Sequence, residues 1–259
     1  MEWRLFRGWS EAELRQRFDM LRGLSRNFEP SEIGRGGGWR YYASRAEVGR
    51  EAPGPPVLGG AFARARRAVE AYEFSDPRIV TGHYDPTSEL AGRRMLLEIK
   101  VFGLRYLNGT AVGEVLSGEV EGRTVFGFRY ETLEGHLERG FEWFVLSKDH
   151  RTGEIRFRIE AVWSPGDFPN WWSRVGFMVL VLPFQRAWHR LAYLRLRQIV
   201  GAKGLRPVPR RRRLLHVGPE LPGPGIWTMS REHFVSTEVR PEQEFEGKER
   251  RIGRWRVPK

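Results

Sequence analysis

At 259 residues, with 40% hydrophobic and 13% aromatic composition, the chain is long enough for one well-buried domain with extensions. Two full domains would be crowded, and disorder of the whole chain is excluded. Cysteine is absent, which removes disulfides, thiolate nucleophiles and thiolate metal sites and fits an intracellular, cytoplasmic protein. The net charge is +12, and +7 of it falls in residues 203–259.

The N-terminus, MEWRLFRGWSEAELRQRF, is charged every few residues and offers no apolar run, so it does not read as a secretory signal. The best apolar run, 175–184, is about half the roughly 20 residues that a spanning helix needs, and it carries Pro183. No transmembrane segment is expected. Arginine outnumbers lysine 39 to 5, and Asn and Gln are scarce. That pattern suits a heat-adapted protein and a GC-rich genome equally well.

Ser10 followed three residues later by Glu13 is a capping-box pattern that opens an amphipathic helix ending near Gly23 or Leu24. Leu14, Phe18 and Leu21 are its docking residues. The glycine-rich stretch 34–38 reads as a joint, not a phosphate loop, because neither Lys-Ser/Thr nor a helix follows it. Residues 39–48 alternate as a strand, 53–56 break the chain, and Phe62, Ala65, Val69 and Tyr72 fall at helical spacing. Strands follow at 77–84, 93–103 and 105–117, with a tight turn near Gly103-Leu104. Residues 123–164 then hold three strand-like runs joined by hairpin-length turns. In the last run Ile155, Phe157, Ile159, Ala161 and Trp163 share one face and Arg156, Arg158 and Glu160 the other, which predicts one covered and one wet face of the sheet.

A long helix is expected over about 170–200. Its apolar face reads as Trp172, Val175, Val179, Leu182, Trp188, Leu191 and Leu194, opposite Arg174, Arg186, Arg190 and Arg197. Pro183 should kink it. After Gly201 the chain turns Pro/Gly-rich and basic, which sets three units: an N-terminal helical extension with its glycine joint (1–38), a central domain (39–202) and a C-terminal extension (203–259). Strand, helix, six antiparallel strands and one long helix make an α+β helix grip, a curved antiparallel sheet of about seven strands closed by the helix. Space left between sheet and helix becomes a cavity.

The segments VLGGAFARARRAVEAY (57–72), RYLNGTAVGEVL (105–116), FGFRYETLEGHLERGFEWFVL (126–146), AVWSP (161–165) and PFQRAWHRLAYLRLRQ (183–198) resemble, in order and spacing, a bacterial and plant family catalogued as a domain of unknown function (number 1990). The resemblance covers roughly residues 40–200, and the stretch around Tyr130, Thr132, Gly135, His136, Glu138 and Glu142 is its specific part. The family is similar in layout to the START and Bet v 1 superfamily. That likeness implies a helix-grip fold and an apolar small molecule or lipid held between sheet and helix. It implies no catalytic residue. The chain departs from the family pattern at Glu131, Glu134 and Leu137, where small or Pro residues are usual, and at Thr110, where Cys is common.

His136, Glu138 and Glu142 are the candidates for acid–base chemistry, since an imidazole beside a carboxylate titrates near neutrality and can be held in one tautomer. The same three could instead shape a hairpin and pair with surface arginines. Candidate ligand contacts are Asn108, Thr110, Tyr130 and Thr132 on central strands, where a buried amide such as Asn108 either ties the backbone together or meets a ligand, and Trp143, Trp163, Trp172 and Trp188, which read as plain core as well. The remaining histidines are dispersed, so no metal site is expected, and the absence of a G-x-S-x-G elbow, a P-loop or a dinucleotide fingerprint argues for no cofactor. Arg210, Arg211, Arg212 and Arg213, with aromatics further on, suit a nucleic acid or an anionic surface, or a solvated tail. Three functions therefore compete: a carrier of an apolar or amphipathic small molecule, an enzyme in the same cavity, and an adaptor acting through 203–259.

Overall fold

The computed structural model describes residues 2–33, 38–168, 171–205 and 213–216. The glycine joint falls almost wholly on residues 34–37, outside that set. Strands β1 (Glu2–Leu5), β2 (Arg40–Arg50), β3 (Val80–His83), β4 (Arg94–Val101), β5 (Leu104–Val120), β6 (Arg123–Thr132), β7 (Glu138–Asp149), β8 (Glu154–Pro165) and β9 (Arg213–His216) form one antiparallel sheet. The helices are α1 (Glu11–Met20), α2 (Ala61–Glu70) and α3 (Trp171–Val200). Sheet order is β3-β4-β5-β6-β7-β8-β2-β9, with β1 added beside β5. The seven strands read from the sequence are β2 to β8. The two extra edge strands are four residues each, too short for a periodic pattern to reveal.

Meander connections follow from turn chemistry. Phe102 and Gly103, at φ 48° and 83°, make a two-residue turn whose twist matches the strands it joins. The turn lies one residue before the expected Gly103-Leu104. The capping box of α1 is present: Glu13 N–H donates to Ser10 Oγ, and Ser10 N–H donates to Glu13 Oε2. Leu14, Phe18 and Leu21 pack on Leu96, Leu107 and Leu133, so the N-terminal extension is docked as its pattern implied.

Inward residues of the sheet, including Val48, Phe128, Phe144, Ile155, Phe157 and Ile159, meet α2 and the C-terminal half of α3 in the main core. Phe62, Ala65, Val69 and Tyr72 join it, as their spacing required. Phe144 sits at the centre, with ring centroids of Phe74, Phe128 and Tyr130 at 4.9, 5.2 and 5.1 Å.

Two expectations fail. The outer face is not wet: Phe28, Ile33, Trp39, Tyr41, Trp143 and Val162 form a second buried cluster there. Arg158 and Glu160 are buried on that face as an ion pair, to which Tyr41 O–H donates at 2.8 Å. Alternation identified the two faces correctly, but charge does not guarantee solvent when the charges neutralise each other. The apolar face of α3 was also misassigned. Val175, Val179 and Leu194 are exposed, while Val181, Gln185, Trp188, His189, Ala192, Tyr193, Leu196 and Val200 are buried. Residues 175–184 of α3 are apolar all round, so periodicity could not choose their face. Helix α3 runs on through Pro183, which lies on the exposed side.

Candidate functional site

Between the sheet and the N-terminal half of α3 lies a cavity of about 260 Å³. Val80, Leu97 and Ile99 of β3 and β4 form one wall, and Phe177, Leu180 and Phe184 of α3 form the other. At one end the lining becomes polar, with Tyr130, His136, Glu138, Glu142, Gln185 and Trp188. The cavity is closed near Tyr72, Glu142 and Trp188, which are buried, and opens between Leu104 and Gly176, which are not.

The polar end is built by the turn between β6 and β7. Gly135, at φ 78°, reverses the chain, and His136 N–H closes the turn on the Leu133 carbonyl. Asn108 supports it from β5, its Oδ1 accepting Leu137 N–H at 3.2 Å, while its Nδ2 has no partner among the described residues. The His136 ring is fixed by Glu138 N–H, which donates to Nδ1 at 2.9 Å. A backbone N–H only donates, so Nδ1 is the bare nitrogen and the proton rides on Nε2. That Nε2–H is buried and has no partner among the described residues. Burial pushes the imidazole down to about 3, so it is neutral at physiological pH.

Glu138 faces the same end. Burial raises its carboxyl to about 7, against the opposing pull of Gln185 and Arg40. Gln185 Nε2 donates to it at 3.1 Å. Glu142 accepts from Tyr130 O–H at 2.6 Å and meets His189 Nε2 at 3.2 Å. His189 Nδ1 continues to Ser44 Oγ at 2.5 Å, and Ser44 contacts the Tyr193 hydroxyl. Burial holds the Tyr130 phenol well above its ordinary range. Trp188 Nε1–H donates to Ser75 Oγ at 2.9 Å, which frees its ring to face the cavity.

Of the residues singled out in the sequence, His136, Glu138, Glu142, Tyr130 and Trp188 therefore converge on one space. Asn108, Thr110, Thr132, Trp143 and Trp163 do not line it. Thr110 Oγ1 is spent on the Met95 carbonyl, and Thr132 Oγ1 ties Gly140 to Asn27. Trp143 belongs to the outer cluster, and Trp163 packs edge-on to Phe177 beside Val181. The Trp172 side chain, residues Arg210, Arg211 and Arg212, and the side chain of Arg213, whose backbone opens β9, lie outside the described residues. The sequence reading missed Ser44, Gln185 and His189. The available signal was Gln185 and His189 one helical turn apart, two polar residues flanking Trp188 on an otherwise apolar face. Among the described residues no group of side chains could hold a metal ion, and no helix is long and apolar enough to cross a membrane.

The domain of unknown function DUF1990 matches residues 29–194, more than half of the chain. The chain belongs to that family. No curated protein matches it. Similar solved structures include Ara h 8.0201, at 11% identity and TM-score 0.36, covering 63% of this chain and 98% of that one. The hypothetical protein jhp0584 from Helicobacter pylori is 13% identical, with TM-score 0.36 and coverage of 66% and 95%. An uncharacterized protein from Rhizobium leguminosarum is 12% identical, with TM-score 0.34 and coverage of 63% and 96%. The DUF1990 chain is a large antiparallel sheet with a long helix laid against it.

Proposed function

We propose that this DUF1990 protein binds a small amphipathic molecule, apolar for most of its length and bearing a hydrogen-bond acceptor at one end. The observation that carries this reading is the buried His136 Nε2–H, without a partner among the described residues, on a residue that lines the polar end of an apolar cavity. A buried donor left unmade costs about 1–3 kcal/mol, and a carbonyl or carboxylate oxygen on the ligand removes that cost. Val80, Leu97, Ile99, Phe177, Leu180 and Phe184 take up the apolar body.

Native mass spectrometry of the full chain, followed by solvent extraction, tests the reading. The wild type should release a bound small molecule, whereas Leu180→Trp, which fills the cavity from α3, should carry none. His136→Phe should retain it far more weakly; since the substitution also takes the acceptor from Glu138 N–H, loading is compared on chain shown to be folded by circular dichroism. Equal loading of all three chains would refute the reading.

A second reading is favoured by Glu138, whose carboxyl is raised to about 7 beside the same space. A group that titrates there can give or take a proton from a bound molecule, with Glu142 held by Tyr130 and His189 as a second carboxyl. Turnover of any ligand recovered should then fall in Glu138→Gln; an unchanged rate removes the enzyme reading. Association of nucleic acid with 203–259 is a separate expectation, tested by salt-sensitive RNA binding.

A further inference from the structure

We infer that the outer face of the N-terminal half of α3 is a docking surface for an anionic lipid surface. This goes beyond the cavity reading and does not depend on it. Trp171, Val175 and Val179 are spaced four apart and so share one face of the helix, the one turned away from the cavity. They are 77%, 53% and 66% exposed. A helix that is apolar on both sides needs a second apolar environment, and among the described residues the fold supplies only the inner one.

Charge selects the occupant. Residues 171–200 contain five arginines and no aspartate, glutamate or lysine. Arg174, Arg186 and Arg190 are exposed, and Arg186 and Arg190 continue the helix face begun by the valines. A second copy of the chain would oppose arginine to arginine, and the 203–259 extension, at +7, would be repelled in the same way. Phosphate backbones reward the arginines and leave the valines and tryptophan uncovered. An anionic leaflet satisfies both, taking valine and tryptophan at the acyl boundary and arginine among its headgroups. Phe102 at the β4–β5 hairpin tip and Phe6 packed beside Gly103 are exposed apolar residues as well.

Flotation of the full chain with vesicles of phosphatidylcholine, with and without phosphatidylserine, tests this. Binding should require phosphatidylserine, weaken with salt and vanish in Val175→Asp/Val179→Asp. Since each arginine near an anionic surface strengthens partitioning about fivefold, Arg186→Gln/Arg190→Gln should cut it about 25-fold. Neutralising residues 210–213 to glutamine should leave vesicle binding within a few-fold. Ligand retention, measured by native mass spectrometry, should be unchanged in the α3 surface variants, so this proposal and the cavity reading fail separately. Binding indifferent to phosphatidylserine, vesicle binding that survives the aspartates, loss of binding only on neutralising 210–213, or association of the α3 face with RNA or a second copy instead would each overturn it.

Discussion

His136 and Glu138 titrate in opposition, and removing either should expose the other. Glu138 has its carboxyl raised from 4.5 to about 7 by burial. Between those values the native state holds a proton that the unfolded chain has released, so its contribution to stability falls as pH rises. His136 is lowered from 6.5 to about 3. Over that interval the unfolded chain binds a proton that the native ring refuses, so its contribution falls as pH drops. Both operate between pH 4.5 and 6.5. Each changes stability there by about 1.4 kcal/mol per pH unit, with opposite sign. The pair therefore cancels in the wild type.

In Glu138→Gln the imidazole acts alone, and stability relative to wild type should rise by up to about 3 kcal/mol from pH 4.5 to 6.5. The half-buried position of Glu138 makes that an upper bound. In His136→Phe the carboxyl acts alone, and relative stability should fall by a similar amount as the pH rises over the same range. Urea unfolding across the pH series measures both. At an m-value near 3 kcal/mol/M the midpoints should move by about 1 M in opposite directions. Variant curves that run parallel to the wild type at every pH would show that neither group is desolvated as described.

Three further outcomes follow from the core. Phe144→Ala removes the ring at the centre of the main core and should cost about 3–5 kcal/mol in chemical unfolding. Gly140→Ala would set a Cβ 2.0 Å from the Val162 carbonyl at φ 141°, so a loss of about 3 kcal/mol or more is expected, visible as a much lower melting temperature. Lys148→Met strands the buried Glu51, which lies 2.8 Å from the lysine, and should cost about 3–5 kcal/mol. Adding Glu51→Gln should recover part of that loss in a double-mutant cycle.

The fold was legible because its signals are local. Alternation in 154–164, the turn residues between strands and the spacing of Phe62, Ala65 and Val69 each specify an element without knowledge of the rest. The convergence of His136, Glu138, Glu142 and Tyr130 was half legible, since they sit on neighbouring strands around one turn. Ser44 and His189 were not, because β2 and α3 meet β7 only in space, 145 residues separating the two side chains that touch. Asn108 shows a choice that the sequence left open. Its polarity stood out, and of its two uses the structure takes the backbone one, the turn it braces receiving its carbonyl oxygen. The apolar run 175–184 of α3 carried no periodic signal, and its exposed face emerged only when the sheet had claimed the other.

The most direct measurement of the central claim is saturation of the full chain with an anilinonaphthalene sulfonate dye, followed by displacement with the extracted ligand. The cavity account predicts one-site saturation in the wild type, displacement by that ligand, and loss of the site in Leu180→Trp without loss of folded structure. Dye binding that is unsaturable, or identical in wild type and Leu180→Trp, would contradict it.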